Sequence, residues 1–269
     1  MGLQRHVRVV AANRVTFHVH KNGQPIESLE DWFQLAPPEG GRRQWKDGRS
    51  AKEAARRWLP GLPPEVVEAL DSHPDLRGFA AQSAEPEVET QLDEFFRNRN
   101  HDLIVEGTCN RRKVLLCVEA KADEPFDDAV GTKLDQARPT SNLPERIRRI
   151  SRALFGNETI KEIAYLRYQL LQACAGSLIE AQYRQADSCV LLVHVFRTPL
   201  TNDGRIADNA ADLDRFISVL GSGRAEGAPN TAAGPFLVPG YMAIPRFERL
   251  YVAKAMMDMT TEHRGRRPA

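Results

Sequence analysis

The sequence is poor in cysteine, has no long apolar run and carries almost no net charge. Its 269 residues include four cysteines, which are widely separated and form no CxxC pair: Cys109, Cys117, Cys174 and Cys189. This usage favours small core residues in a reducing compartment and argues against a disulfide framework. No window of about 18 consecutive apolar residues occurs. We therefore expect no membrane partner and a cytoplasmic protein.

The near balance of charge excludes a strongly basic or acidic protein. The formal net charge is +1, although charged residues make up 27% of the chain. A nucleic-acid partner would have to be met by a local patch, because the whole molecule has no basic excess. No Gly-rich phosphate loop is present, and Cys174 has only alanine neighbours, so a reactive thiolate is unsupported.

The pattern along the chain predicts one domain over residues 1–269 with a mixed α/β (α+β) fold. Asn22-Gly23 indicates an N-terminal hairpin, on which His18 and His20 share a face without a third metal ligand. Further elements are predicted as follows: helices capped by Ser28, by Ser50 with Glu53 as a capping box, and from Pro64; strands 86–92, 101–107 and 113–122; helices 126–137, 142–156 and 162–185; a strand 188–196; a helix 212–221; a mobile loop 221–235; and strands 235–244 and 249–257. A short helix through 93–96 competes with the strand that begins at 86.

Two charged residues end an otherwise apolar strand. Along Val114 to Lys121 the side chains alternate between two apolar faces until Glu119, which predicts a central strand covered on both sides. Symmetry about the turn near Asn110 places Asp102 of the preceding strand opposite Glu119. Two carboxylates and a lysine then meet at the edge of a covered region.

This combination of side chains is suited to phosphodiester hydrolysis. Carboxylate oxygens bind hard divalent ions such as Mg²⁺, which keeps several waters and often bridges to substrate phosphate. Lys121 beside such an ion can orient or deprotonate an attacking water. The bland alternative is an ion pair of Glu119 and Lys121 with solvated head groups.

Asp102, followed by Glu119-Ala120-Lys121 at the end of an apolar strand, resembles the PD-(D/E)xK nuclease superfamily, which includes restriction endonucleases, Holliday junction resolvases and RecB-type nucleases. The order helix, three-stranded meander, helix, strand is also similar to its core and would cover residues 50–196, with the N-terminal hairpin and helix and the C-terminal strands and helix as additions. The stretch 119–126 resembles an E-x-K-x-D-E-P-F motif of an uncharacterised bacterial branch. The resemblance implies a restriction-endonuclease-like core, with a central mixed sheet flanked by helices.

By position, the resemblance implies that Asp102 and Glu119 bind Mg²⁺, with Mn²⁺ as a substitute, that Lys121 is catalytic and that DNA is the substrate. His101 departs from the Pro of the family pattern. The superfamily often adds a glutamate, for which four residues compete: Glu53, Glu65, Glu68 and Glu87. Glu87 is favoured as a third metal ligand, because its strand lies beside Asp102.

Three further residues are candidates for nucleic-acid binding. Arg146 and Arg149 share a face of the helix 142–156 and could follow a phosphate backbone, although a solvated face explains them as well. Gln169 resembles a glutamine that some members of the superfamily place near the metal, and helix packing is its alternative.

Two other functions stay open for the whole protein: a catalytically silent nuclease-fold module that binds nucleic acid or a protein, and a small-molecule phosphodiesterase. A homodimer is also left open.

Overall fold

The computed structural model describes residues 17–95, 97–156, 160–221 and 230–260. Within these ranges the chain forms one eight-stranded mixed sheet with helices on both faces, which confirms the predicted mixed α/β class. The strands are β1 (His18–Lys21), β2 (Gln24–Pro25), β3 (Ala80–Thr90), β4 (Arg99–Cys109), β5 (Arg112–Lys121), β6 (Ser188–Arg197), β7 (Thr231–Val238) and β8 (Phe247–Asp258).

The sheet has the order β2-β1-β3-β4-β5-β6-β8-β7. β3, β4 and β5 form the predicted antiparallel meander, whereas β5, β6 and β8 are parallel. The parallel strands need crossover connections, which the helices between them supply. The carboxyl ends of β5, β6 and β8 therefore lie at one edge of the sheet.

The helices divide between the two faces of the sheet. They are α1 (Leu29–Leu35), α2 (Ser50–Trp58), α3 (Pro64–Asp71), α4 (Val130–Asp135), α5 (Leu143–Phe155), α6 (Ile160–Ile163), α7 (Tyr168–Tyr183) and α8 (Asp203–Leu220), with a 3-10 turn at Gly41–Arg43. None of these helices is both long enough and apolar enough to cross a membrane.

Two separate cores meet at β5, one on each face of the sheet. Leu115 and Cys117 pack into the core formed with α5, α7 and α8, while Leu116 and Val118 pack into the core formed with α1, α2 and α3. All four residues are fully buried. The prediction of a central strand covered on both sides is confirmed. Successive side chains of β5 point to opposite faces, so the strand contributes apolar residues to both cores.

The helix predicted over 162–185 is wrong in its first part. Backbone bonds from Val130 N to the Leu166 carbonyl (2.9 Å) and from Tyr168 N to the Asp128 carbonyl (3.1 Å) hold the intervening turn against the segment before α4. Two helices, α6 and α7, result. The apolar spacing through Leu166 hides this break in the sequence.

Two local predictions are corrected by the backbone. α2 has Arg49 as its N-cap residue and no side-chain cap, so the Ser50 capping box is wrong, whereas Ser28 does form one with Asp31. The loop predicted over 221–235 is partly wrong, since β7 begins at Thr231, and its residues 222–229 lie outside the described ranges.

Candidate active site

The β4–β5 hairpin has the register predicted from the sequence. Leu103 lies opposite Val118, and the pairing continues to Cys109 opposite Arg112. One step beyond Leu103, the Asp102 carboxylate accepts a hydrogen bond from the Ala120 backbone N–H (2.7 Å). Asp102 is thereby fixed beside the carboxyl end of β5.

Glu119 and Lys121 lie on the same face of β5 and are almost completely buried, at 2% and 6% exposed. Lys121 Nζ is 3.0 Å from Glu119 Oε1, and Arg99 pairs with the other carboxylate oxygen, Oε2. Burial alone would raise the pKa of Glu119, but Arg99 and Lys121 outweigh it and hold the pKa below its usual value. Glu119 is therefore ionised at neutral pH. The alternative of a solvated ion pair is wrong, because neither head group is in water.

Gln169, in the first turn of α7, connects these two charged side chains. Its Nε2 donates to Glu119 Oε1 (2.5 Å), and its Oε1 accepts from Lys121 Nζ (3.0 Å). The same Oε1 accepts from the Asp127 backbone N–H (3.3 Å). The Lys121 ammonium also lies 5.2 Å from the centre of the Phe126 ring. Both functional groups of the amide are thus committed to positioning the site.

Glu87 reaches the site from β3, where its neighbours Pro86 and Val88 lie opposite Leu103 and His101. Burial, and then the Asp102 charge, raise the pKa of Glu87 to about 8. Burial, and then the Glu119 charge, likewise raise the pKa of Asp102. The two carboxyls therefore share an environment that disfavours a second and third negative charge.

The backbone at Glu87 has a positive φ of 50°, which is uncommon for a residue with a side chain. The ammonium group of Lys21 in β1 donates hydrogen bonds to the carbonyl oxygens of Pro86 (2.9 Å) and Glu87 (2.8 Å). Local strain of this kind persists only where surrounding contacts enforce it. Here the contacts come from β1, so the N-terminal strand helps to set the position of Glu87.

Arg99 and Asn100 belong to the site although sequence reasoning missed both. Arg99 pairs with Glu119, and the Asn100 side-chain amide donates to the Glu87 carboxylate. The amide oxygen of Asn100 is buried without a hydrogen-bond partner. β4 begins at Arg99 and not at His101, so both polar residues belong to the strand although they precede its apolar run.

The oxygen donors do not form a complete metal cage. Over the described parts of the chain, no group of three or more His, Cys, Asp or Glu side chains is placed to hold a metal ion. Glu87 and Asp102 nevertheless interact electrostatically, as do Asp102 and Glu119, across the neighbouring strands β3, β4 and β5. Their assignment as metal ligands stays a prediction.

The competing glutamates lie elsewhere. Glu65 is bound by Arg57 and His194, Glu53 by Arg56, and Glu68 by Asn230. His194 is fully buried, accepts from Trp58 Nε1 (3.1 Å) and contacts Glu65 through its other ring nitrogen (3.0 Å). It is thus a buried core histidine with a partner at each ring nitrogen.

The two arginines proposed for phosphate contact make ion pairs within the protein. Arg146 is buried and donates two hydrogen bonds of 2.7 Å to the Asp93 carboxylate. Arg149 pairs with Glu94 and Glu145. Their role in nucleic-acid binding stays a prediction, and it would require a phosphate to compete with these carboxylates.

An open cavity of about 540 Å³ lies at the end of β3 and the start of β4. It is lined by Glu89, Gln91, Glu94, Phe95, Arg97 and Asn98. Glu89 lies opposite Asn100 in the sheet; it is two residues from Glu87 along β3, and Asn100 is two residues from Asp102 along β4. The cavity therefore lies near the carboxylate cluster.

No curated protein sequence and no solved structure matches the chain. A family model described as a domain of unknown function (DUF6946) matches residues 25–244, which span β2 to β7 and include every residue of the candidate site except Lys21. The chain belongs to the DUF6946 family.

Proposed function

We propose that the protein is a Mg²⁺-dependent nuclease of the PD-(D/E)xK type that hydrolyses phosphodiester bonds of DNA. One observation carries the proposal: the β4–β5 register brings Asp102 beside the Glu119-Ala120-Lys121 segment, with Gln169 bridging Glu119 and Lys121. Buried charged groups of this kind, with perturbed pKa values, are concentrated at functional sites.

The donor set fits a hard divalent ion. Asp102 and Glu119 would hold Mg²⁺ through carboxylate oxygens, and Glu87 faces Asp102 from the next strand. Two further features favour a cation at this place: the unpartnered amide oxygen of Asn100, and the burial and neighbouring negative charges that raise the pKa of Asp102 and of Glu87. Bound there, Mg²⁺, or Mn²⁺ in its place, would act as a Lewis acid toward the phosphate.

The protein side chains would supply orientation and proton transfer. Lys121 would place its ammonium against the attacking water and the developing negative charge on phosphate oxygens. Gln169 fixes the Lys121 Nζ by a 3.0 Å hydrogen bond, so Gln169 is a positioning residue. Glu119 Oε1 lies 3.0 Å from the same nitrogen, so the lysine is held between the amide and the carboxylate.

Arg99 supports a second candidate, the catalytically silent module that binds nucleic acid or a protein. Its guanidinium pairs with Glu119 Oε2, where a metal ion would have to bind. With Arg99 and Lys121 as counter-ions, Glu119 is balanced without a metal. In this alternative the site is a structural ion-pair network, and the protein binds its partner elsewhere.

The nuclease proposal is tested with Lys121→Ala and with Lys46→Ala, a matched control at an exposed lysine of the loop before α2. Both variants and the wild type are incubated with supercoiled, linear and single-stranded DNA in Mg²⁺, Mn²⁺ or chelator, after circular dichroism confirms that they fold. Metal-dependent cutting by the wild type and the control, lost in Lys121→Ala, is the expected result. Cutting retained in Lys121→Ala would overturn the assigned role.

The silent module predicts a different outcome. The wild type would cut none of these substrates with any ion, yet would bind DNA, and Asp102→Asn would bind as tightly as the wild type. Fluorescence anisotropy with labelled duplex and single-stranded DNA measures this binding. A loss of binding in Asp102→Asn would contradict the silent module, because in that alternative the partner binds away from the candidate site.

A further inference from the structure

A second cavity lies on the other face of the sheet, between α2 and the carboxyl ends of β6 and β8. Its volume is about 220 Å³, and it is lined by Glu53, Arg56, Arg57, Phe196, Met257 and Met259. Phe196 and Met257 are neighbours in the β6–β8 pairing. Crevices outside the carboxyl ends of parallel strands are common ligand sites in α/β sheets. We refer to this cavity as the Glu53 pocket.

Glu53 contributes a buried acceptor that the protein leaves unused. The residue is 2% exposed. Its Oε1 accepts from Gly48 N (2.6 Å) and Arg56 Nη1 (2.9 Å), whereas its Oε2 is buried and has no hydrogen-bond partner. An unsatisfied buried carboxylate oxygen is costly, and Glu53 lines the cavity, so the two observations together point to a donor supplied by a ligand.

The charges around the Glu53 pocket balance, so the missing donor need not be a cation. Arg56 pairs with Asp47 as well as Glu53, and Arg57 pairs with Glu65 through two hydrogen bonds. In and beside the pocket, three acidic groups are thus paired with three basic groups: Glu53, Asp47 and Glu65 with Arg56, Arg57 and Lys52. The nearby His194 adds no charge, because burial lowers its pKa. A neutral N–H group suits this environment better than an ammonium ion.

The remaining walls favour a small flat ring. Phe196 is fully buried and its ring centre is 4.2 Å from that of His194, which fixes the aromatic floor. Met257 and Met259 are partly exposed and flexible enough to adjust to a ligand. The volume of about 220 Å³ is below the roughly 300–1,000 Å³ of pockets for drug-sized ligands, so one fused ring system is the appropriate size.

We infer that the Glu53 pocket binds a small neutral heterocycle that carries an N–H donor, such as the base of an aminopurine nucleoside. The N–H would donate to Glu53 Oε2, and the ring would pack on Phe196 and Met257. The inference does not depend on nuclease activity, because the pocket and the carboxylate cluster lie on opposite faces of the sheet.

Isothermal titration calorimetry of the wild-type protein with adenosine, guanosine and purine riboside tests the inference. Purine riboside is adenosine without the exocyclic amino group. We expect adenosine and guanosine to bind and purine riboside to bind roughly 10- to 100-fold more weakly, the ratio for one hydrogen bond to a charged group. Equal affinity for adenosine and purine riboside, or no binding of any of the three at millimolar concentration, would overturn the inference.

Two variants localise the binding. Glu53→Gln replaces Oε2 by a donor of similar size and should weaken adenosine binding by the same roughly 10- to 100-fold, while Glu27→Gln, at an exposed carboxylate before α1, should leave it unchanged. If thermal unfolding shows that Glu53→Gln does not fold, Met257→Trp fills the cavity from β8 and should abolish binding. Unchanged adenosine affinity in either folded pocket variant would refute the assignment.

Discussion

Replacing Glu87 by glutamine should make the protein less sensitive to alkali. Burial and the Asp102 charge raise the pKa of Glu87 from 4.5 to about 8, so the folded protein holds this proton to higher pH than the unfolded chain does. The stability contributed by the protonated carboxyl is therefore complete below pH 4.5 and is lost progressively as pH rises toward 8. Glu87→Gln keeps an oxygen acceptor for Asn100 and removes the titration.

The magnitude follows from linkage. One pKa unit corresponds to about 1.36 kcal/mol. Between pH 5 and pH 7 the wild type should lose at most about 2.5 kcal/mol of unfolding free energy through Glu87 alone, because the unfolded carboxyl ionises over this interval while the folded one does not. The other titrating groups contribute to both proteins, so the difference between wild type and variant isolates this residue.

The assay is urea unfolding of wild type and Glu87→Gln at pH 5, 6, 7 and 8, followed by circular dichroism. The stability of the variant relative to the wild type should increase with pH across this range. A difference between the two proteins that stays constant from pH 5 to pH 7 would refute the reasoning. Repeating the series with Mg²⁺ adds a separate readout, since an ion bound by Glu87 would reduce the pH dependence of the wild type.

Two predictions concern packing and charge. Arg99→Leu should cost about 3–5 kcal/mol of unfolding free energy, because it breaks a buried ion pair with Glu119; the exposed Arg246 pair is the control, and Arg246→Leu should cost under about 1 kcal/mol in the same urea titration. An equal cost for both would contradict the burial argument. Gly107→Ala should lower stability by about 1–3 kcal/mol, because a Cβ there would overlap the Ala80 carbonyl oxygen and the Phe79 ring. Thermal unfolding checks this, and an unchanged melting temperature would show that β3 can shift.

The parts of the site that follow from local periodicity could be predicted. Alternation along β5 and the position of the turn near Asn110 are short-range properties, and together they place Asp102 beside Glu119 before any tertiary contact is known. The meander and the covered central strand follow from the same pattern. The apolar runs also located β6 and β8.

The parts that depend on distant contacts could not. Arg99 and Asn100 are polar residues before the apolar run, so nothing in the pattern extends β4 back to them. Gln169 lies at the start of α7 only because backbone bonds to Asp128 and Val130 interrupt the helix. Glu53 matched a capping box, yet tertiary packing turned its carboxylate inward to Gly48.

The Gln169 bridge has a consequence for the order in which the molecule folds. The β3–β5 meander is built from contacts between chain neighbours, which we expect to form early, whereas Gln169 is 48 residues from Lys121 and 50 from Glu119. Until α7 docks, the charged end of β5 can stay hydrated at no cost. Docking removes that water and supplies the amide in the same event, so neither charge needs to be buried before its partner arrives.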